Sequence, residues 1–400
     1  VAWLVGVVAT LAVLGWYGIE TDLDAPSTSK LVGDANSSRG LAGRGPSSTP
    51  TASIGGAPYS AAGLQSRQEQ LALWQGRQER AEQTYASYRD ATRYPYDSRP
   101  IAEHPDQIRP FAPIAEELKL RNANGEEVKG MRLRTSQERV FLSGTESVKF
   151  TVSVRDESDR PMPLVIRGAR AQSIPDSRTP IKLVQTNVAF SDDGAGADDA
   201  SGDGTYSGRM TPATQGFQNY GGTIRLLIEL TAGTQQGVAH FDVVYTPDVP
   251  ATWAGAREAL EAGSLNFYLK AQVRVAGRYV VSGRVDDANG EPFALLQFND
   301  EVAAGSKEFK LQVFGALVLD KSPAFPLRLR DVDGFLLIPD AFPDRRTMAR
   351  QNGVVHVSAL YPKSRFSAAE WSSEERDRYL AEYGKDAETA RRQVEALSGR

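Results

Sequence analysis

Residues 192–207 read DDGAGADDASGDGTYS, the one run in the chain where side chains with ligand chemistry cluster. Asp192, Asp193, Asp198, Asp199 and Asp203 are interleaved with Gly194, Gly196, Gly202 and Gly204. A hard cation such as Ca2+ takes several oxygen ligands at about 2.3–2.6 Å, and carboxylates on a backbone that glycine allows to turn can supply them. Left without partners, carboxylates this close would repel one another, so a cation would stabilise an ordered loop. The spacing is not that of an EF-hand, because the terminal Glu is missing and no helix pair flanks the run. Against the calcium reading stands an ordinary solvated turn between strands, where Asp and Gly are simply the favoured turn formers.

Elsewhere the residue types argue against catalysis. Three histidines are present: His104 in a proline-rich stretch, and His240 and His356 inside runs that read as strands. No HExxH pair, GxSxG elbow or GxxxxGK[ST] phosphate loop occurs. Cysteine is absent, which excludes disulfides, thiolate zinc sites and a Cys nucleophile. Asp286 with Asp287, and Asp331 with Asp333, could in principle serve glycosidase chemistry. They flank turn signals, however, and adjacent strand residues point to opposite faces. With 50 acidic against 46 basic side chains and a net charge of -4, no broad positive field is available to hold nucleic acid.

The elements that would position these residues follow a clear order. Val1–Ile19 carries no charged residue, and as a helix it would rise roughly 28 Å at about 1.5 Å per residue, close to the thickness of a bilayer core. Trp3 lies near one end and Trp16 with Tyr17 near the other, where such rings favour the interface. An uncleaved transmembrane anchor over residues 1–19 is expected in preference to a cleaved signal peptide, because the apolar run is long and lacks a clear small-x-small cleavage site. Glu20, Asp22 and Asp24 make an acidic exit that suits the outer side. Residues 20–62 are rich in Ser, Thr, Gly, Ala and Pro and read as a flexible linker of about 35 Å typical span.

A helical segment is expected over 63–93, with Leu64, Leu71, Trp74, Ala81, Tyr85 and Tyr88 on heptad a/d positions. Arg67 and Gln78 interrupt that seam, so a helix packing its aromatic stripe on the adjacent domain is favoured over a short oligomerising coiled coil. Pro95, Pro100, Pro105, Pro110 and Pro113 make 94–116 a structural strap. Alternating runs at Met131–Leu142, Ser147–Arg155, Leu164–Ala169, Ile181–Phe190, Thr223–Leu230 and Val238–Tyr245 fit an immunoglobulin-like β-sandwich over 117–247. Leu265–Ala276, Arg278–Asp286, Phe293–Asn299, Glu308–Leu319, Leu327–Leu337 and Val354–Tyr361 give a second β domain over 251–362, with Asn289-Gly290 as a hairpin turn. A C-terminal helix over 366–398 closes the chain, opened by Ser367 and Glu370 in capping-box spacing.

The run FSDDGAGADDASGDGTYSG from Phe190 to Gly208 resembles the D-x-G-x-x-x-D-x-x-x-G-D-G-x-Y-S pattern of bacterial choice-of-anchor X domain proteins. AGRYVVSGRVDDANGEPFALLQFNDEV, FPLRLRDVDGFLLIPDAFPDRRTM and AEWSSEERDRYLAEYG resemble the C-terminal parts of related proteobacterial envelope proteins of unknown function. The resemblance covers roughly 118–387. It implies exported, β-rich proteins tethered to the envelope by differing anchors, and it transfers no catalytic residue.

The fold expected is therefore mainly β: two immunoglobulin-like or related β-sandwich domains, preceded by a transmembrane helix, a linker and a helical segment, with a C-terminal helix. The function expected is that of a non-catalytic binding or scaffold protein. It would sit in the inner membrane through residues 1–19 with its bulk in the periplasm, and would present loops or sheet edges to an envelope protein or a glycan. A hydrolase acting on glycan through scattered carboxylates is the rival from another class. Facing carboxylates in a pocket would favour it.

Overall fold

The computed structural model describes residues 61–175 and 183–398, of which the first four are described by their backbone alone. The expected anchor at 1–19 and nearly all of the linker lie outside the described residues, as does the start of the expected strand Ile181–Phe190. The architecture is mainly β, in three sheets whose strands pair antiparallel with one exception, with helices at either end of the described chain. Among the described residues no helix is long and apolar enough to cross a membrane.

Helix α1 (Ala61–Ala91) leads into the strap, which is more structured than its prolines suggest. It forms a short strand β1 (Ser98–Pro100), then two 3-10 turns at Ile101–Glu103 and Pro105–Gln107. Pro100 closes β1 against the following strand-rich region without needing a donor, since Pro is tolerated at strand ends.

The first β region, 114–246, holds β2 (Ile114–Arg121), β3 (Glu127–Gln137), β4 (Phe141–Ser143), β5 (Val148–Asp156) and β6 (Leu164–Ser173). It continues through β7 (Gln185–Asn187), β8 (Phe190–Ser191), β9 (Tyr206–Met210), β10 (Gly222–Ala232) and β11 (Gln235–Thr246). They share one sheet in the order β7-β6-β10-β11-β2-β3-β5-β9-β8, with β4 pairing β11 in parallel. The join between β11 and β2 is a single residue pair, Val238 with Arg121, so two well-paired halves meet there. In β5, Val148, Phe150, Val152 and Val154 are buried while the residues between them are not, which is the period-2 pattern of a strand with one wet face. Ile224, Leu226, Ile228 and Leu230 of β10 do the same. These faces enter one core, where Phe150 meets Phe241 of β11 with ring centroids 4.8 Å apart.

The second β region holds β12 (Ala251–Glu261), β13 (Ser264–Val273), β14 (Gly277–Asp286), β15 (Pro292–Val302) and β16 (Gly305–Val313). Helix α2 (Gly315–Lys321), β17 (Arg328–Leu337), β18 (Arg345–Thr347) and β19 (Gln351–Val357) complete it. One sheet runs β1-β15-β14-β17-β18, with β19 also on β17, and a second runs β12-β13-β16. The two sheets pack around a single core that includes Phe267, Tyr279, Phe309 and Leu329. The hairpin at Asn289-Gly290 is as expected: Gly290 has φ 84°, and Asp287 accepts hydrogen bonds from the Asn289 and Glu291 amides.

Three expectations need correction. The strand expected over Glu308–Leu319 ends at Val313, and the apolar run after it is helix α2, which buries Ala316, Leu317 and Val318 together. A continuous apolar run does not distinguish strand from helix by period. Gly315, the first residue of α2, lies so close to Gly263 and Ser367 that a side chain there would strike their backbone. The C-terminal helix α3 (Glu374–Ser398) begins later than expected. Ser367 and Glu370 are not its capping box; the Ser373 hydroxyl accepts from the Arg376 amide instead. Finally, β2, β9 and β12 are strands that hydrophobic alternation does not announce.

Helices α1 and α3 lie against each other, with Tyr88 edge-on to Tyr379 and Tyr383 at 5.8 and 5.3 Å. The α1 stripe thus packs on a helix rather than on a β face. Arg376, buried, donates to Thr92 and Glu370, and Glu370 also receives Arg89 at 2.8 Å. Arg93 binds Asp320 of α2 through both Nε and Nη2, which fixes the end of α1 to the second β region.

Candidate functional site

The aspartates singled out by the sequence form the loop between β8 and β9. Each is held by donors of its own neighbourhood. Asp192 accepts from the Asp203 and Gly204 amides through its two oxygens. Asp193 accepts from Ala195 N and the Ser191 hydroxyl, and Asp203 from Thr205 N. Asp198 is buried and takes Gly194 N at 2.7 Å and the Ser207 hydroxyl at 3.1 Å. Asp199 is exposed and pairs with Lys149 of β5 at 2.7 Å. The backbone turns that expose these amides use positive φ at Gly194, Gly196, Gly202 and Gly204. A residue larger than Gly at 194 would press on the Ser201 backbone. The structure thus gathers all five aspartates into one loop but aims them at separate donors. Among the described residues no group of three or more acidic or histidine side chains is arranged to hold a metal ion.

The histidines do not come together. His240 lies on β11 opposite Leu227, and His356 on β19 meets Glu258 at 3.1 Å with its ring edge-on to Phe267. His104 belongs to the turns of the strap.

A denser constellation lies where the strap crosses the second β region, and motif reading does not find it. Arg284 on β14 is buried and ion-pairs Asp333 of β17 while also donating to the Asp331 carbonyl and to Gln107 of the strap. Arg330 donates to Asp286 at 2.5 Å, to Asp331 at 2.6 Å and to the Ile108 carbonyl of the strap at 3.0 Å. Burial pulls the Arg330 pKa down, but the hydrogen bonds to Asp286 and Asp331 outweigh it and leave the guanidinium raised above its ordinary value. Asp331 itself has φ 48°, in the left-handed region that costs a non-glycine residue strain, and its other oxygen accepts from Gly353 N. Of the acids that suggested glycosidase chemistry, Asp286, Asp331 and Asp333 are therefore each paired with an arginine, while Asp287 accepts from the Asn289, Glu291 and Ala324 amides. Alternation of Arg and Asp along β14 and β17 is the only signal in the sequence that could have found this cluster.

Beside it, β17 and β18 meet β4 of the first β region around a cavity of about 110 Å3. Arg345 is held between two rings, 5.0 Å from Phe141 of β4 and 4.9 Å from Phe335 of β17, with Asp344 on its outer side.

With that geometry in hand, the chain compares loosely with known proteins. No family model matches it, and no curated protein does. Among solved structures it is similar to a DUF4785 family protein from Legionella pneumophila, at 13% identity over 58% of this chain and TM-score 0.40. It is also similar to the native conformation of alpha-2-macroglobulin from E. coli, at 12% identity over 60% of this chain and 18% of that one, TM-score 0.22. A third is dimeric latent PorU from Porphyromonas gingivalis, at 8% identity over 60% of this chain and 34% of that one, TM-score 0.17. The chain spans 58% of the length of the Legionella protein. At these scores none of the three carries an argument about function.

Proposed function

We propose that this chain is a membrane-tethered, non-catalytic binding or scaffold protein of the bacterial envelope, its two β regions being immunoglobulin-like or related sandwiches displayed in the periplasm. The observation that carries the reading is the mounting of α1. Its 31 residues, roughly 46 Å at about 1.5 Å per residue, follow directly on the Ser/Gly/Pro-rich stretch and the apolar Val1–Ile19. Its far end is clamped to α3 and α2 by Glu370, Arg376 and Asp320. Anchor, tether, stiff stalk and β regions then follow in the order a displayed binding protein needs. The resemblance to choice-of-anchor X domain proteins supports the same address.

The rival glycan hydrolase finds its acids occupied. Asp286, Asp331 and Asp333 each bind an arginine, rather than two carboxyls facing each other across a gap of about 5–10 Å. Calcium belongs to the reading as a stabiliser of the 192–203 loop, where Asp193, Asp199 and Asp203 are exposed and retain acceptor capacity. Fractionation of cells expressing the full chain and a variant lacking residues 1–19 tests the address. The full chain is expected with membranes and the truncated one in the soluble fraction; a full chain that is soluble sinks the proposal.

A further inference from the structure

The chain visits the second β region twice. Before the first β region begins, Tyr94 enters the core of the second, β1 pairs with β15, and the Ser98 hydroxyl accepts from the Phe314 amide. The chain then leaves for β2 to β11 and returns at Ala251, where β12 joins the same core. The first β region is therefore inserted into the second: a head of 114–246 on a body that contains both 94–111 and 249–357.

Each crossing is short. On the way out the strap stays with the body as far as Phe111, whose ring lies 4.7 Å from the Arg350 guanidinium and 5.9 Å from that of Arg284. Gln107 and the Ile108 carbonyl accept from Arg284 and Arg330 of the body. β2 starts at Ile114, so Ala112 and Pro113 bridge the two. On the way back β11 ends at Thr246, whose carbonyl accepts from the Gly144 amide of the head. The Pro250 carbonyl already accepts from the Arg274 and Val275 amides and the Tyr279 hydroxyl of the body, and the Val249 carbonyl from the Arg274 side chain. Pro247 and Asp248 make the second bridge. Hinges consist of a few such loop residues between rigid elements.

What closes the head against the body is thin. The two cores share no residue. β4 of the head and β18 of the body meet beside the cavity of about 110 Å3, a void that a packed interior would fill. Arg345 of the body spans the seam, with Phe141 of the head at 5.0 Å and Phe335 of the body at 4.9 Å. Gly144 of the head lies so close to Val249 that a side chain there would press on it, which places a pivot beside the return crossing. Domains joined without a large apolar interface move relative to one another by default.

We propose that the first β region is a hinged head that swings on the body about Ala112-Pro113 and Pro247-Asp248, with Arg345 against Phe141 as the catch of the closed position. This goes beyond display of the chain, and it holds whether or not the chain is anchored.

The sequence has no cysteine, so pairs can be introduced for spin labels without background. Glu157, Glu229, Glu301 and Lys363 are exposed. Purified full chain carrying Glu157→Cys on the head and Glu301→Cys on the body reports the head–body distance by double electron–electron resonance. Glu157→Cys with Glu229→Cys is the control within the head, and Glu301→Cys with Lys363→Cys the control within the body. Phe141→Ala removes the catch from the head side and Arg345→Ala from the body side. Each should raise the ratio of open to closed distances about two- to thirtyfold, the range that loss of a cation–π contact supplies. Both control distances should stay as in the parent. A head–body distribution unchanged by both substitutions would overturn the proposal. So would control distances that change along with it, because the effect would then be loss of fold rather than release of a catch. Either failure leaves the proposed address of the chain untouched.

Discussion

At the scale of single residues, the loop at 192–203 shows how the same aspartates can serve two chemistries. Asp198 is buried and its partners are a backbone amide and a hydroxyl. Asp198→Ala should therefore cost about 1–3 kcal/mol in denaturant unfolding, as expected when donors inside the loop lose their shared acceptor. Asp199→Ala, at an exposed ion pair, should change stability by less than about 1 kcal/mol. Calcium is tested by the same melting experiment with and without chelator. A cation bound only by the native state adds about 2.7 kcal/mol at a hundred times its dissociation constant, and that gain should vanish in Asp203→Ala. No shift at millimolar calcium would leave a loop ordered by its own amides. Glu370 gives a pH prediction. Hydrogen bonds from Arg89 and Arg376 hold its pKa at about 2, below the ordinary 4.5. A depressed carboxyl contributes stability that is complete above its unfolded value and lost as pH falls through the folded one. Acid titration from pH 4.5 to about 2 should thus loosen the α1–α3 clamp, and Glu370→Gln should flatten that limb. The aspartate cluster was legible because it is contiguous. The Arg284–Asp333 and Arg330–Asp286 pairs were not, because partners more than forty positions apart meet only when β14 and β17 pair.

At the scale of elements, legibility followed the number of faces a strand buries. β5 and β10 alternate because one face is wet, and they could be read directly. β2 (IAEELKLR) buries only Leu120 and is rich in Glu and Lys, while β12 (ATWAGAREALE) has the composition of a helix. Both are strands because a neighbour pairs them, β3 and β13 respectively, and cross-strand pairing overrides local propensity. Glu117 of β2 illustrates the compensation, bridging Arg132 and Arg134 of β3 at 2.6 and 2.8 Å. The start of α3 was misplaced for a local reason: several serines precede it, and spacing alone does not say which one is turned toward the first amides. Ser373→Ala should destabilise α3 by about 1 kcal/mol, whereas Ser367→Ala should leave its helicity unchanged. Arg376→Ala removes a buried side chain that bridges Thr92 and Glu370. Hydrogen exchange should then speed up in 61–91 and 374–398 together, with the β regions unaffected.

At the scale of the whole molecule, the described chain comprises the packed helices α1 and α3 and two β cores, each core closed by its own sheets. The strap at 101–113, with its two 3-10 turns, docks on the second core before leading into β2. It offers Gln107, the Ile108 carbonyl and the Phe111 ring to Arg284, Arg330 and Arg350. A proline-rich segment suits that task because its conformation is largely fixed before it docks. The central claim is that this assembly is displayed outside the cytoplasm on an uncleaved N-terminal anchor. Protease added to spheroplasts expressing the full chain tests it most directly, with immunodetection of α3. The account predicts that the chain sediments with the membrane, that added protease destroys the α3 epitope while a cytoplasmic marker survives, and that deleting residues 1–19 frees the chain from the membrane. An α3 epitope protected until the cells are lysed, or a full chain recovered with the soluble cytoplasmic marker, would contradict it.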